Sequence, residues 1–209
     1  RQPHPKPLIA IQFPPKTLSH APALKLRAHY TIPVNSWARG SRLILLTAHR
    51  RENLGEPMRE MFRAIRRIVD ETPDIKVIYP MHKNPAVREM ARACFGGQER
   101  IHMIEPLDVL DFHNVMAHAY LIMTDSGGIQ EEAPALGKPV LVMRDTTERP
   151  EGVAAGTLRL VGTDENTIYA AVRELLTDPA AYREMEHAAN PYGDGHASRY
   201  IAEILSREL

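Results

Sequence analysis

Six short runs of β-forming residues, at 42–47, 76–80, 102–105, 120–124, 139–143 and 158–161, alternate with longer stretches in which apolar residues recur at helical spacing. Met58, Met61, Phe62, Ile65, Ile68 and Val69 follow the i, i+3, i+4, i+7 rule of an amphipathic helix. Strands alternating with helices predict parallel βαβ units, and so an α/β, Rossmann-like sheet with helices on both faces. In open sheets of this kind ligands bind in the crevice outside the carboxyl ends of the strands. The polar clusters just past those ends are therefore where chemistry is expected.

The pattern does not extend over the whole chain. Residues 1–40 hold seven of the 17 prolines, namely Pro3, Pro5, Pro7, Pro14, Pro15, Pro22 and Pro33. Proline fixes φ and removes a backbone donor, so 1–40 reads as an irregular segment and 41–209 as the folded domain. Asn190-Pro191-Tyr192-Gly193-Asp194-Gly195 interrupts the chain before a last predicted helix at 196–209.

Composition narrows the choices further. The chain has 209 residues, and its 26 Lys and Arg balance 26 Asp and Glu. A nucleic-acid binder working through a broad basic field needs a surplus of cations, and that class is excluded. The longest apolar runs fall far short of the roughly 20 residues of a membrane span. A single cysteine, Cys94, rules out an internal disulfide framework and a multi-Cys zinc site, and fits a reducing compartment. No charged leader with an apolar run is visible, so no export signal is expected. There is no G-x-G-x-x-G and no P-loop, and His113 and His118 sit on different faces of one predicted helix. No metal and no cofactor are expected.

Three clusters follow predicted strands. After 42–47 comes Ala48-His49-Arg50-Arg51-Glu52-Asn53-Leu54-Gly55, whose imidazole and guanidiniums suit an anion, unless the arginines simply pair with Glu52 and Glu56. After 76–80 come Met81, His82 and Lys83, again cationic. After 120–124 comes Asp125-Ser126-Gly127-Gly128-Ile129-Gln130-Glu131-Glu132, where Asp125 or Ser126 can cap a helix and the glycines let backbone N–H groups approach a phosphate. Glu132, about a turn and a half into that helix, is placed to accept from both hydroxyls of a ribose. A capped helix with a surface acid is the alternative. Arg149, before Pro150, can reach the same cleft or form a structural ion pair. Phe112 can offer an aromatic face to a base or pack in the core.

Taken together, H-R-R-E-N at 49–53, Y-P-M-H at 79–82, T-D-S-G-G-I-Q-E-E-A-P at 124–134, R-D-T-T-E-R-P-E at 144–151 and N-P-Y-G-D-G at 190–195 closely resemble the non-hydrolysing UDP-N-acetylglucosamine 2-epimerases. The resemblance covers about 41–209, with the motifs in the right order and spacing. It implies the C-terminal, nucleotide-binding domain of a GT-B fold. It also implies interconversion of UDP-GlcNAc and UDP-ManNAc by elimination of UDP, through 2-acetamidoglucal, and readdition. By position, His49 matches the catalytic-cleft histidine near the leaving UDP. Ser126, Gly127 and Gly128 match the pyrophosphate site, Glu132 the ribose acceptor, Phe112 the uracil pocket and Arg149 a further cleft residue. Arg50 and His82 are similar to residues that contact a second UDP-GlcNAc acting as an allosteric activator. A homodimeric, cytoplasmic enzyme of cell-surface polysaccharide biosynthesis is the implied setting.

The resemblance also implies that acidic residues of a separate N-terminal domain move the C2 proton. Nothing in 1–40 matches that domain, so the chain is expected to supply the nucleotide-binding half. Two rivals share the same motif types: a GT-B glycosyltransferase, and a non-catalytic module that binds nucleotide sugars.

Overall fold

The structure, a computed structural model, describes residues 39–208, so almost all of the Pro-rich segment 1–40 lies outside the described residues. Among these residues six strands form one sheet: β1 (Arg42–Thr47), β2 (Ile75–Pro80), β3 (Ile101–Ile104), β4 (Leu121–Thr124), β5 (Val140–Val142) and β6 (Leu158–Leu160). All pairings are parallel and the strand order is β3-β2-β1-β4-β5-β6. The helices are α1 (Glu56–Glu71), α2 (Pro85–Phe95), α3 (Val109–His118), α4 (Gly127–Ala135), α5 (Pro150–Ala154), α6 (Glu165–Thr177), α7 (Pro179–His187) and α8 (Ala197–Glu208). The expected Rossmann-like architecture is the one found.

Period-two alternation divides the core between the two faces of the sheet. Ile44 and Leu46 of β1 and Val77 and Tyr79 of β2 point to a cluster completed by Met61, Phe62, Ile65 and Ile68 of α1, Val87 and Phe95 of α2, and Ile168 and Val172 of α6. Leu43 and Leu45 point the other way, to Ile122, Val140 and Val142, under Val115 and Met116 of α3 and Ile129 and Ala133 of α4. With both faces covered, the central strands are apolar almost throughout. On the outer face of α1, Arg66–Asp70 at 2.8 Å and Arg67–Glu71 at 3.0 Å are i,i+4 pairs.

Side-chain caps start four helices. Asn84 accepts from Ala86 N, Asp108 from Asp111 N, Asp164 from Thr167 N, and Asp178 from Ala180 N and Ala181 N. Ser126, at the N-cap of α4, makes no such bond. No helix among the described residues is long and apolar enough to cross a membrane.

Candidate functional site

The order β3-β2-β1-β4-β5-β6 reverses direction between β1 and β4, and the chain leaves those two strands for opposite faces of the sheet. A crevice must open where the connections diverge, which is the ligand position of doubly wound sheets. Thr47 and Thr124 are register partners at its floor, with their hydroxyl oxygens 2.6 Å apart.

Asp125 joins the two walls. Its Oδ2 accepts from His49 N at 2.9 Å, Arg50 N at 2.8 Å and Asn53 Nδ2 at 3.2 Å, and its carbonyl accepts from Arg50 Nε at 3.0 Å. The expectation that Asp125 or Ser126 caps α4 through its side chain is therefore corrected. Asp125 is fully buried, and a buried carboxylate is stabilised better by three converging donors than by one helix amide. Tyr79 supports the same loop by donating to Ala48 O at 2.9 Å. Burial, and then the nearby Asp125 carboxylate, push its phenol well above the usual range.

The start of α4 carries the candidate anion site. Gly127 and Gly128 have no positive φ, so backbone conformation is not what asks for glycine there. A Cβ at Gly127 would lie 3.5 Å from Arg50 Nη2, and one at Gly128 3.7 Å from Glu132 Oε1. The two bare amides thus sit between a guanidinium and a carboxylate, at a helix end whose partial positive charge favours an anion. The acids that the alternative reading pairs with the loop arginines are engaged elsewhere. Glu52 accepts from Arg144 Nε at 3.0 Å, and Glu56 pairs with Arg59 and Arg63. Arg50 Nη1 faces Glu148 at 3.5 Å.

Glu132 reaches the same rim, where its Oε2 lies 2.9 Å from His113 Nε2. Nothing in the sequence marks His113 for this site. One turn of α3 and one of α4 meet there, and only the fold shows that. Phe112 is half-buried against the core cluster under α3, its ring 6.4 Å from that of His113. Arg149 is held by Glu131 and donates to Glu148 O at 2.9 Å, so its guanidinium ties the start of α5 to α4. On the β2 side, His82 stacks on His49 with ring centroids 5.5 Å apart and planes 14° from parallel. Asn84 N donates to His82 Nδ1 at 3.1 Å.

Two further contacts brace the cleft. Buried Arg144 donates to Glu148 at 2.6 Å, and that bond pulls the Glu148 carboxyl down to about 2. Thr147 Oγ1 donates to buried Gln130 Oε1 at 2.5 Å, and Gln130 Nε2 donates to Ser126 O at 3.2 Å. Among the described residues no group of three or more His, Cys, Asp or Glu is arranged to hold a metal ion. The arrangement can bind a phosphate-bearing ligand at the α4 end, accept hydrogen bonds at Glu132, and present an imidazole at His49.

Residues 18–206 match the protein family described as UDP-N-acetylglucosamine 2-epimerase, a span that begins upstream of residue 41. The chain is 62% identical over 180 residues to the UDP-N-acetylglucosamine 2-epimerase of Bacillus subtilis, covering 86% of this chain and 47% of that protein. It superposes on the S. aureus MnaA–UDP structure with a TM-score of 0.81 at 50% identity, covering 88% of this chain and 50% of the other. A C-terminal domain of a group 1 glycosyl transferase from Francisella tularensis is 16% identical, with a TM-score of 0.60, over 82% of this chain and 94% of that domain. That last likeness shows the shared fold alone. The chain spans about half the length of the curated relatives it matches.

Proposed function

The chain belongs to the UDP-N-acetylglucosamine 2-epimerase family, and from that premise we propose that it supplies the UDP-binding half of an enzyme interconverting UDP-GlcNAc and UDP-ManNAc. The observation that carries this reading is the gathering of Arg50, the Gly127 and Gly128 amides and Glu132 around one helix start at the β1/β4 crevice. The S. aureus relative of the same fold is a structure with UDP.

In this reading the pyrophosphate lies on the Ser126, Gly127 and Gly128 end of α4, the ribose diol donates to Glu132, and Phe112 lines the uracil side. Elimination takes the C2 proton to a base, forms the C1–C2 double bond of 2-acetamidoglucal, and sends the C1–O electron pair to the β-phosphate of UDP. The helix end and His49 stabilise the charge that grows on that phosphate. Readdition on the other face of the turned sugar reverses each step. The base at C2 belongs to the part of the enzyme that the longer relatives carry. Arg149 braces the start of α5 at the rim of the same cleft. A second UDP-GlcNAc, acting as an activator, is assigned to the Arg50 and His82 side. Because His82 stacks on His49, activator and leaving group would share one wall. A homodimer in the cytoplasm is part of the same proposal.

Titration calorimetry of the 209-residue chain with UDP tests the site, and a folded chain that takes up no UDP at millimolar concentration refutes it. The reaction is tested in a full-length protein carrying this domain. UDP-ManNAc formed from UDP-GlcNAc without an acceptor supports epimerisation, whereas sugar transfer to an acceptor supports a glycosyltransferase.

A further inference from the structure

The two oxygens of the Asp125 carboxylate are used unequally. Oδ2 accepts from His49 N, Arg50 N and Asn53 Nδ2. Oδ1 is buried, has no hydrogen-bond partner among the described residues, and faces His49 Nδ1 at 3.5 Å. A buried carboxylate oxygen without a donor is unfavourable, and the ring nitrogen is within a small rotation of supplying one. Hydrogen bonds of catalytic groups are commonly long in ligand-free sites and shorten when the ligand arrives. His82, stacked on one face of the His49 ring, limits the directions in which the ring can swing.

We propose that Asp125 is a positioning residue for His49, with Oδ1 taking the Nδ1–H so that the neutral ring is held as the Nδ1–H tautomer and Nε2 is presented to the cleft. The inference rests on the role proposed above for His49. One carboxylate then holds both the main chain and the ring of the same histidine, and through β4 fixes them relative to the start of α4. Free neutral histidine favours the proton on Nε2, so the Nδ1–H form requires a local acceptor. In the elimination direction a protonated His49 passes its Nε2 proton to the β-phosphate oxygen as the C1–O bond breaks. The Nδ1 proton stays on the ring throughout, and Asp125 remains a carboxylate. Readdition returns the proton to Nε2.

The test is the nitrogen NMR spectrum of the 15N-histidine-labelled 209-residue chain, taken at a pH where the imidazoles are neutral, with His49 assigned by the signals lost in His49→Gln. The expected spectrum has the proton on His49 Nδ1. In Asp125→Asn the side-chain carbonyl keeps the three donors of Oδ2, and the amide group turns its N–H toward His49 Nδ1. The proton is therefore expected to move to Nε2. A native chain with the proton on Nε2, or an Asn variant with an unchanged spectrum, overturns the inference. If the variant does not fold, the native spectrum alone decides. A UDP titration of the same native sample separates the two claims. Loss of UDP binding with the Nδ1 proton in place refutes the nucleotide site and leaves the Asp125–His49 contact standing. UDP binding with the proton on Nε2 does the reverse.

Discussion

Replacing Asp125 by alanine removes one acceptor from three donors at once, and the structure sets the size of the effect. His49 N and Arg50 N are only part-buried, so each reaches water once released, whereas the side-chain amide of Asn53 lies in a residue that is 5% exposed. Taking about 1 kcal/mol for each part-buried amide and about 2 kcal/mol for the buried Asn53 amide, which keeps only a 3.4 Å bond to Met143 O, gives a loss of about 4 kcal/mol for Asp125→Ala. Asp125→Asn keeps a carbonyl acceptor and turns charge-assisted bonds into neutral ones of roughly half the strength, a loss of about 2 kcal/mol. The assay is urea unfolding followed by circular dichroism, comparing midpoints at an unchanged denaturant slope. A loss below about 1 kcal/mol for alanine, or equal losses for alanine and asparagine, refutes the view that this carboxylate clasps the two walls.

Three further outcomes are expected. Glu132→Ala weakens UDP binding by about 1–3 kcal/mol, as for loss of a charged acceptor; equal affinity of the unmutated chain for UDP and its 2′,3′-dideoxy analogue in calorimetry refutes the ribose role. Gly152→Ala presses a methyl group onto Leu158 and the Tyr192 hydroxyl, and destabilises the fold by about 1–3 kcal/mol in the same unfolding assay; Leu158→Ala in the same chain recovers part of the loss, and strict additivity refutes the clash. The Glu148 carboxyl, held at about 2 by Arg144 against an ordinary 4.5, adds stability that is complete above pH 4.5 and fades as pH falls toward 2; carbon NMR of Glu148 follows this, Arg144→Gln moves the midpoint back up, and a native midpoint near 4.5 refutes the pairing.

Hydrophobic periodicity is enough to read the layers, because a strand buried on both faces and a helix buried on one leave different spacings. Boundaries move where a polar group finds a partner outside the sheet. Glu105, expected as the last residue of the third strand, lies beyond β3, and its carboxylate is drawn to Arg88 at 2.8 Å. Strand order is not legible, since no local pattern says that β1 lies between β2 and β4. The contacts that depend on that order are equally hidden. His49 and His82 meet because β1 and β2 are neighbours, and Asp125 turns to residues 49–53 because β4 joins β1 on its other side. By its local sequence Asp125 reads as a helix cap, a common use of an aspartate before a helix start. His113 gives no sign of Glu132, 19 residues away on a different helix.

The hydroxyl pair of Thr47 and Thr124 spans 77 residues of chain, while β1 meets β2 across a single helical connection. Closing the longer loop costs more chain entropy than closing β1 on β2, which biases docking toward the β1–β2 pair. During folding, β1 and β2 can dock before β4 arrives, leaving one edge of β1 open and neither wall of the crevice complete. The crevice is complete only once β4 has docked on β1. A ligand that touches both walls recognises only the finished sheet, and by mass action it raises the cost of every opening that parts β4 from β1, whichever side gives way.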